Sequence, residues 1–142
     1  FLMCKHVRPL MEQKGAGAIV NIASTSGIRW TATAAVGYAS AKAGVIQFGR
    51  VVGVEYAKKG VRVNTVLPGQ LHTPLVDAVL AQDQSGGDID VLLARRQARI
   101  PLPFMSDGRD TANAALFLAS DEARWITGTE IIVDGGMSAR CD

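Results

Sequence analysis

Residues 18–24 read Ala18-Ile19-Val20-Asn21-Ile22-Ala23-Ser24, and residues 61–69 read Val61-Arg62-Val63-Asn64-Thr65-Val66-Leu67-Pro68-Gly69. Each is a short β-branched run with a glycine just before it and a turn or polar segment after it, the pattern of a strand covered on both faces. The spacing predicts strands over Ala18–Ala23 and Val61–Leu67, the second cut by Pro68-Gly69. Between them, Val36 to about Lys58 predicts a long helix. Val45, Phe48, Val52 and Tyr56 recur on one face, with Ala39, Ala43 and Gly53 among its small positions, and Lys58, Lys59 and Gly60 form a basic last turn and a glycine stop. Strands separated by a helix pair in parallel through a crossover. The class is therefore α/β, with ligands expected beyond the carboxyl ends of the strands.

The same reading extends outward. Phe1 to Lys14 has Leu2, Met3, Val7, Leu10 and Met11 at helical spacing, Pro9 is expected to bend or interrupt that helix, and Gly15 and Gly17 end it. Residues 74–106 are expected to make an excursion of two short helices split by Ser85-Gly86-Gly87. Asp107 or Asp110 can cap a helix running to about Ala119, and Thr129–Asp134 is a third strand ending in Gly135-Gly136. Repeats, linkers and low-complexity tracts are absent, so residues 1–142 are expected to form one domain with three strands and flanking helices.

Composition narrows the function classes. The chain is 48% hydrophobic and 20% charged, too apolar for a disordered tail, and its 20 alanines and 15 glycines suit closely approaching α/β layers. With 15 Lys+Arg against 13 Asp+Glu there is no basic stripe for a nucleic-acid backbone. Cys4 and Cys141 sit at opposite ends with no CxxC or Cys/His cluster, against a disulfide scaffold or a metal site. No apolar run nears the roughly 20 residues of a membrane helix, and the expected protein is soluble and cytoplasmic, with no nucleic-acid or membrane partner. Phe1 falls inside a predicted helix, which raises the expectation of a longer parent chain.

Tyr38 and Lys42 are one helical turn apart, so their side chains share a face. A phenol titrates near 10, and a fixed ammonium beside it favours the phenolate, giving a pair able to move a proton at a carbonyl or alcohol. Alone, the spacing is weak evidence, since a solvated Lys beside a half-buried Tyr is commonplace on helices. Ser24 adds context: it follows the first strand directly and precedes Tyr38 by only a short loop, so its hydroxyl can face the same pocket.

At these residues the chain resembles the short-chain dehydrogenase/reductase family. Four of that family's motifs occur in order: Asn21-Ile22-Ala23-Ser24, Tyr38-Ala39-Ser40-Ala41-Lys42, Asn64 through Pro68-Gly69 to Thr73, and Thr127-Gly128 with Val133-Asp134-Gly135-Gly136. The resemblance spans essentially the whole chain but only the C-terminal part of the family's Rossmann-like, doubly wound parallel sheet. It implies NAD or NADP as cofactor, a small-molecule carbonyl or alcohol substrate, and hydride transfer between the two. It further implies that Tyr38 is the general acid/base, that Ser24 polarises the reacting oxygen, and that Lys42 lowers the Tyr38 pKa and bonds the nicotinamide ribose. Pro68, Gly69 and Thr73 are implied contacts of the nicotinamide carboxamide, with the backbone near Gln70 a further candidate. Thr25 and Ser26 remain alternatives to Ser24, which keeps register with Asn21. The family's glycine-rich phosphate-binding turn belongs upstream of Phe1, and Gly15-Ala16-Gly17 does not replace it, because it precedes a strand instead of opening a helix.

The remaining polar residues carry weaker readings. A lone loop histidine such as His72 is most simply solvated, and Arg29 and Trp30 either line the substrate pocket or belong to a plain surface loop. Residues 74–106 resemble the family's substrate-covering segment, with Leu75, Val76, Val79, Leu80, Phe104 and Met105 as an expected apolar lid. Arg95, Arg96 and Arg99 read as a solvated helix face rather than an anion site. Two functions follow: an NAD(P)-dependent oxidoreductase, or a truncated, non-catalytic module that oligomerises without binding nucleotide. Epimerase or dehydratase chemistry on the same Tyr–Lys pair is a minor third. The small residues of the first and long helices, with the family resemblance, imply a homodimer or homotetramer. The bare, apolar first strand is expected to be covered along its open edge by further chain or another copy.

Overall fold

The computed structural model describes residues 1–32 and 35–141. Three strands, β1 (Gly17–Ile22), β2 (Val61–Pro68) and β3 (Glu130–Val133), form a parallel sheet in that order. Gly17 pairs with Val61 and Ile22 with Val66 across β1 and β2, while Thr65 pairs with Glu130 and Pro68 with Val133 across β2 and β3. β2 runs one residue further than its sequence suggests. Pro68 lacks an N–H, yet it closes the strand because the ladder continues through the Gly69 N–H to the Val133 carbonyl at 2.9 Å.

Central β2 is buried on both faces, and its alternation assigns the layers. Val61, Val63 and Leu67 meet the long helix α2 (Val36–Glu55) through Val52 and Ile46, whereas Val66 meets α5 (Gly108–Ala119) through Leu118. Glycines set how near α2 lies. A Cβ on Gly53 would stand 2.8 Å from both the Val63 carbonyl oxygen and the Gly128 nitrogen, so a larger residue would lift the helix from the sheet. α2 ends at Glu55, three residues before the expected stop; a 3₁₀ turn over Ala57–Lys59 and Gly60, at φ 77°, turn the chain into β2.

Helix α1 (Leu2–Lys14) is continuous through Pro9, so of the expected bend or interruption the interruption does not occur. Its amphipathic reading is also only partly met. Met11 packs against Val52, Val61 and Val63, while Leu2, Met3 and Leu10 face outward. The excursion after β2 holds a π-helical turn (Val76–Leu80), short α3 (Ala81–Ser85) and α4 (Ile89–Gln97). Asp88 caps α4 by accepting from the Val91 N–H at 3.0 Å, and Asp107 rather than Asp110 caps α5 through the Arg109 N–H at 2.7 Å. No helix among the described residues is long and apolar enough to cross a membrane, and no group of His, Cys, Asp and Glu is arranged to hold a metal.

Candidate active site

The carboxyl end of β1 opens directly into the site. After Ile22 and buried Ala23, Ser24 takes an extended backbone and caps a 3₁₀ turn (Thr25–Gly27), its Oγ accepting from the Ser26 N–H at 3.2 Å. Because that bond uses an oxygen lone pair, the Ser24 O–H proton stays available to a substrate oxygen. Thr25 is 2% exposed, and the Ser26 hydroxyl is hydrogen-bonded to the Thr31 hydroxyl at 3.0 Å.

Gly27 lets this turn lie flat on α2. A Cβ there would come within 2.9 Å of backbone atoms of Lys42 and Ala43 and of the Ile46 side chain. The turn bearing Ser24 thus packs against the helix segment just beyond Tyr38. Sequence reading missed this glycine, although its place three residues after Ser24 was the available signal. Tyr38 lies in the first turn of α2, where the helix dipole favours negative charge, and its side chain is half exposed. Lys42, one turn later, holds its Nζ 5.5 Å from the centre of the Tyr38 ring and donates to the Ile22 carbonyl at 3.0 Å. That bond ties α2 to the end of β1.

Ser24, Tyr38, Gly69 and Gln70 border one cleft of about 700 Å³. Lys42, Pro68 and Thr73 are not on its wall. Lys42 is bonded to the strand end, Pro68 is within β2, and the Thr73 carbonyl accepts from the Val76 N–H at 2.8 Å. Gly69 packs against Asp134, which a Cβ would strike at 2.5 Å. Asp134 in turn accepts from the Gly136 and Ser138 N–H groups at 2.9 and 2.6 Å, so the Asp-Gly-Gly motif buttresses the Pro-Gly turn. Asn64 is structural: it is 1% exposed, donates to the Ile126 carbonyl at 2.8 Å and accepts from the Thr129 N–H at 3.2 Å.

The excursion brings both apolar and charged side chains to the cleft. Leu75 and Leu80 reach the cleft, but Val76 packs with Leu92 in a small core of its own, and Phe104 borders a separate cavity of about 310 Å³ near Asp134. Arg96 is not solvated as the sequence suggested. It is half-buried at the cleft wall, donates to the Leu71 carbonyl at 3.0 Å, and is held below the usual arginine range by burial and by neighbouring Arg99. Arg29 and Trp30 line the cleft, with Arg29 also donating to the Ser138 and Arg140 carbonyls. His72 is paired with Asp77 at 2.9 Å.

A parallel sheet flanked by helices, with Ser24 just beyond the end of β1 and Tyr38 and Lys42 at the start of α2, is a Rossmann-like arrangement. Residues 1–138 match the family model described as enoyl-(acyl carrier protein) reductase. The chain is 38% identical over 138 residues to the 2,5-dichloro-2,5-cyclohexadiene-1,4-diol dehydrogenase LinX of Sphingobium indicum, covering 97% of this chain and 51% of that protein. It is 39% identical to the cis-4-hydroxycyclohexanecarboxylate dehydrogenase of Sinomonas cyclohexanicum, over 95% of this chain and 50% of that protein. A crystal structure assigned to the short-chain dehydrogenases/reductases, from Burkholderia xenovorans, superposes with TM-score 0.93 at 75% identity, covering all of this chain and 53% of that one. The structure of ElxO with NADP bound is 28% identical, with TM-score 0.81 over 96% of this chain and 52% of that one. The chain belongs to the short-chain dehydrogenase/reductase family. It spans about half the length of the curated relatives it matches.

The residues present suit the nicotinamide end of a dinucleotide. The Gln70 Oε1 is buried without a partner beside the cleft that Tyr38 also borders, an acceptor left for an amide donor. The described residues include no glycine-rich turn between a strand and a helix N-terminus to take the pyrophosphate.

Proposed function

We propose that the protein is an NAD(P)-dependent oxidoreductase that interconverts a secondary alcohol and a ketone in the cleft bordered by Ser24 and Tyr38. The observation that carries this reading is the joining of Ser24, Tyr38 and Lys42 by one turn packed through Gly27. When bound, NAD(P) supplies the acceptor or donor of the hydride. In the oxidation direction Tyr38, as phenolate, takes the substrate hydroxyl proton, while the Ser24 O–H donates to the same oxygen and holds it in place. In reduction Tyr38 returns that proton to the carbonyl oxygen. Lys42 stabilises the phenolate electrostatically and offers N–H donors to the cofactor's ribose; Gly69, Gln70, Pro68 and Thr73 form the nicotinamide side.

The named activities of the two curated relatives support a ring-borne hydroxyl as the reacting group. The compartment that fits the unpaired Cys4 and Cys141 is the cytoplasm. Assembly is proposed as a homodimer or homotetramer through α1 and α2, whose outer faces expose Leu2, Met3, Val51 and Val54.

The test is nicotinamide reduction by the full-length protein with a panel of cyclic secondary alcohols, beside NADH and NADPH fluorescence titrations. Turnover with either cofactor supports the proposal. Absence of both turnover and nucleotide binding would instead identify a non-catalytic, oligomerising module.

A further inference from the structure

The cleft wall opposite in chemistry to the Ser–Tyr pair is cationic, and no acid among the described residues lines it. Arg96 uses one N–H on the Leu71 carbonyl, while its Nε is buried and has no partner. Arg99 is its charged neighbour and donates to the Thr31 carbonyl at 3.4 Å, and Arg29, on the same cleft as Arg96, donates among the described residues to backbone carbonyls. None of these three arginines takes part in an ion pair among the described residues, and no Asp or Glu among them lines the cleft. A guanidinium partly withdrawn from water without a carboxylate is costly, because carbonyl dipoles replace only part of its hydration. Burial, and then the like charge of Arg99, hold the Arg96 pKa below the usual arginine range. Arg50 is paired with Glu130 at 2.7 Å and Arg8 with Glu12 at 3.1 Å, whereas Arg62, away from the cleft, is held by backbone carbonyls.

We propose that the substrate carries a carboxylate, distinct from its reacting hydroxyl or carbonyl, that docks on Arg96 within the field of Arg29 and Arg99. This rests on the reading of the same cleft as the site of oxidation and reduction. A planar carboxylate matches the guanidinium fork, and its negative charge supplies what the cleft lacks. Arg96 then acts in binding and orientation, fixing which carbon faces Ser24 and Tyr38.

Cyclohexanecarboxylate and its neutral analogue cyclohexanecarboxamide are the probes, titrated calorimetrically into the full-length protein with and without NAD and NADP. The acid is expected to bind at least about tenfold tighter than the amide, as a charge-assisted pair requires, with the margin shrinking in added salt. Arg96→Gln should erase the margin and Arg96→Lys retain part of it. The wild-type comparison stands even where a variant fails to fold. Equal binding of acid and amide, binding of neither, or a margin that survives in Arg96→Gln overturns the proposal. So does a loss of NADP or NAD affinity in Arg96→Gln with the margin unchanged, which would make Arg96 a cofactor-phosphate contact. The two readings fail separately: Tyr38-dependent oxidation of neutral cyclohexanol without acid preference removes the anion site and keeps the oxidoreductase. An Arg96-dependent acid preference with no nicotinamide reduction does the reverse.

Discussion

Lys42 has two tasks at one atom, and its neighbours show why they are coupled. Its Nζ is bonded to the Ile22 carbonyl while it stands over the Tyr38 ring. Lys42→Ala is therefore expected to loosen the α2–β1 junction, weaken NAD(P) affinity and lower turnover together. Tyr38→Phe should lower kcat by at least about a hundredfold with little change in cofactor Kd, the pattern of a lost proton donor. Steady-state kinetics beside cofactor titration separate the two; near-normal turnover of Tyr38→Phe would remove the phenol from the mechanism. Gly27 works through space alone. In Gly27→Ala the new methyl meets backbone of Lys42 and Ala43, which cannot rotate away, so a loss of about 1–3 kcal/mol is expected in urea unfolding. Its kcat should fall as well, because Ser24 moves with the displaced turn.

At the level of elements, the link between β2 and β3 depends on polar side chains in a dry place. Asn64 bridges the Ile126 carbonyl and the Thr129 N–H, and Thr127 accepts from the Val63 N–H at 3.1 Å, so the chain entering β3 is stitched to β2 before the strands pair. Asn64→Ala strands both backbone partners, and a stability loss of about 2–4 kcal/mol is expected, read as a lower urea midpoint with the slope unchanged. A midpoint within experimental error of the wild type would show that water replaces the amide. The same logic explains Arg62, which donates to the Leu118 and Ser120 carbonyls at 2.8 and 2.9 Å and so satisfies the last turn of α5.

For the whole molecule, the open faces carry the predictions. β1 stands at a sheet edge with no strand on its outer side among the described residues, and Ile22 is 45% exposed. Apolar edges of this kind are templates for another strand. Those β1 amides not bonded to β2 are expected to be protected from hydrogen exchange in the full-length protein; rapid exchange at all of them would mean that the edge stays bare. Association is tested elsewhere, at Gly44, whose missing side chain points into open space on α2. Gly44→Trp should shift sedimentation toward monomer. An intact assembly in that variant and in Val51→Glu would move the interface off this helix.

Local chemistry made much of this architecture legible from the residues alone. Glycine-bounded, β-branched runs placed all three strands within one or two residues, and the one-turn spacing of Tyr38 and Lys42 put them on one helix face whatever surrounds them. Ser24 at the strand end followed from the motif order. Other features depend on partners remote in sequence, and no window of residues contains them. Pro9 stays within a continuous α1; Leu10 faces out while Met11 packs inward. Val76 is buried by Leu92, sixteen positions on. Arg96 reads as one more charge on a short helix until the fold turns that side of α4 toward the cleft, where burial deprives its Nε of both water and an acceptor. Propensity and turn chemistry act over a few residues and survive in the isolated sequence. Desolvation and close approach are properties of the packed layers and arise only when those layers meet.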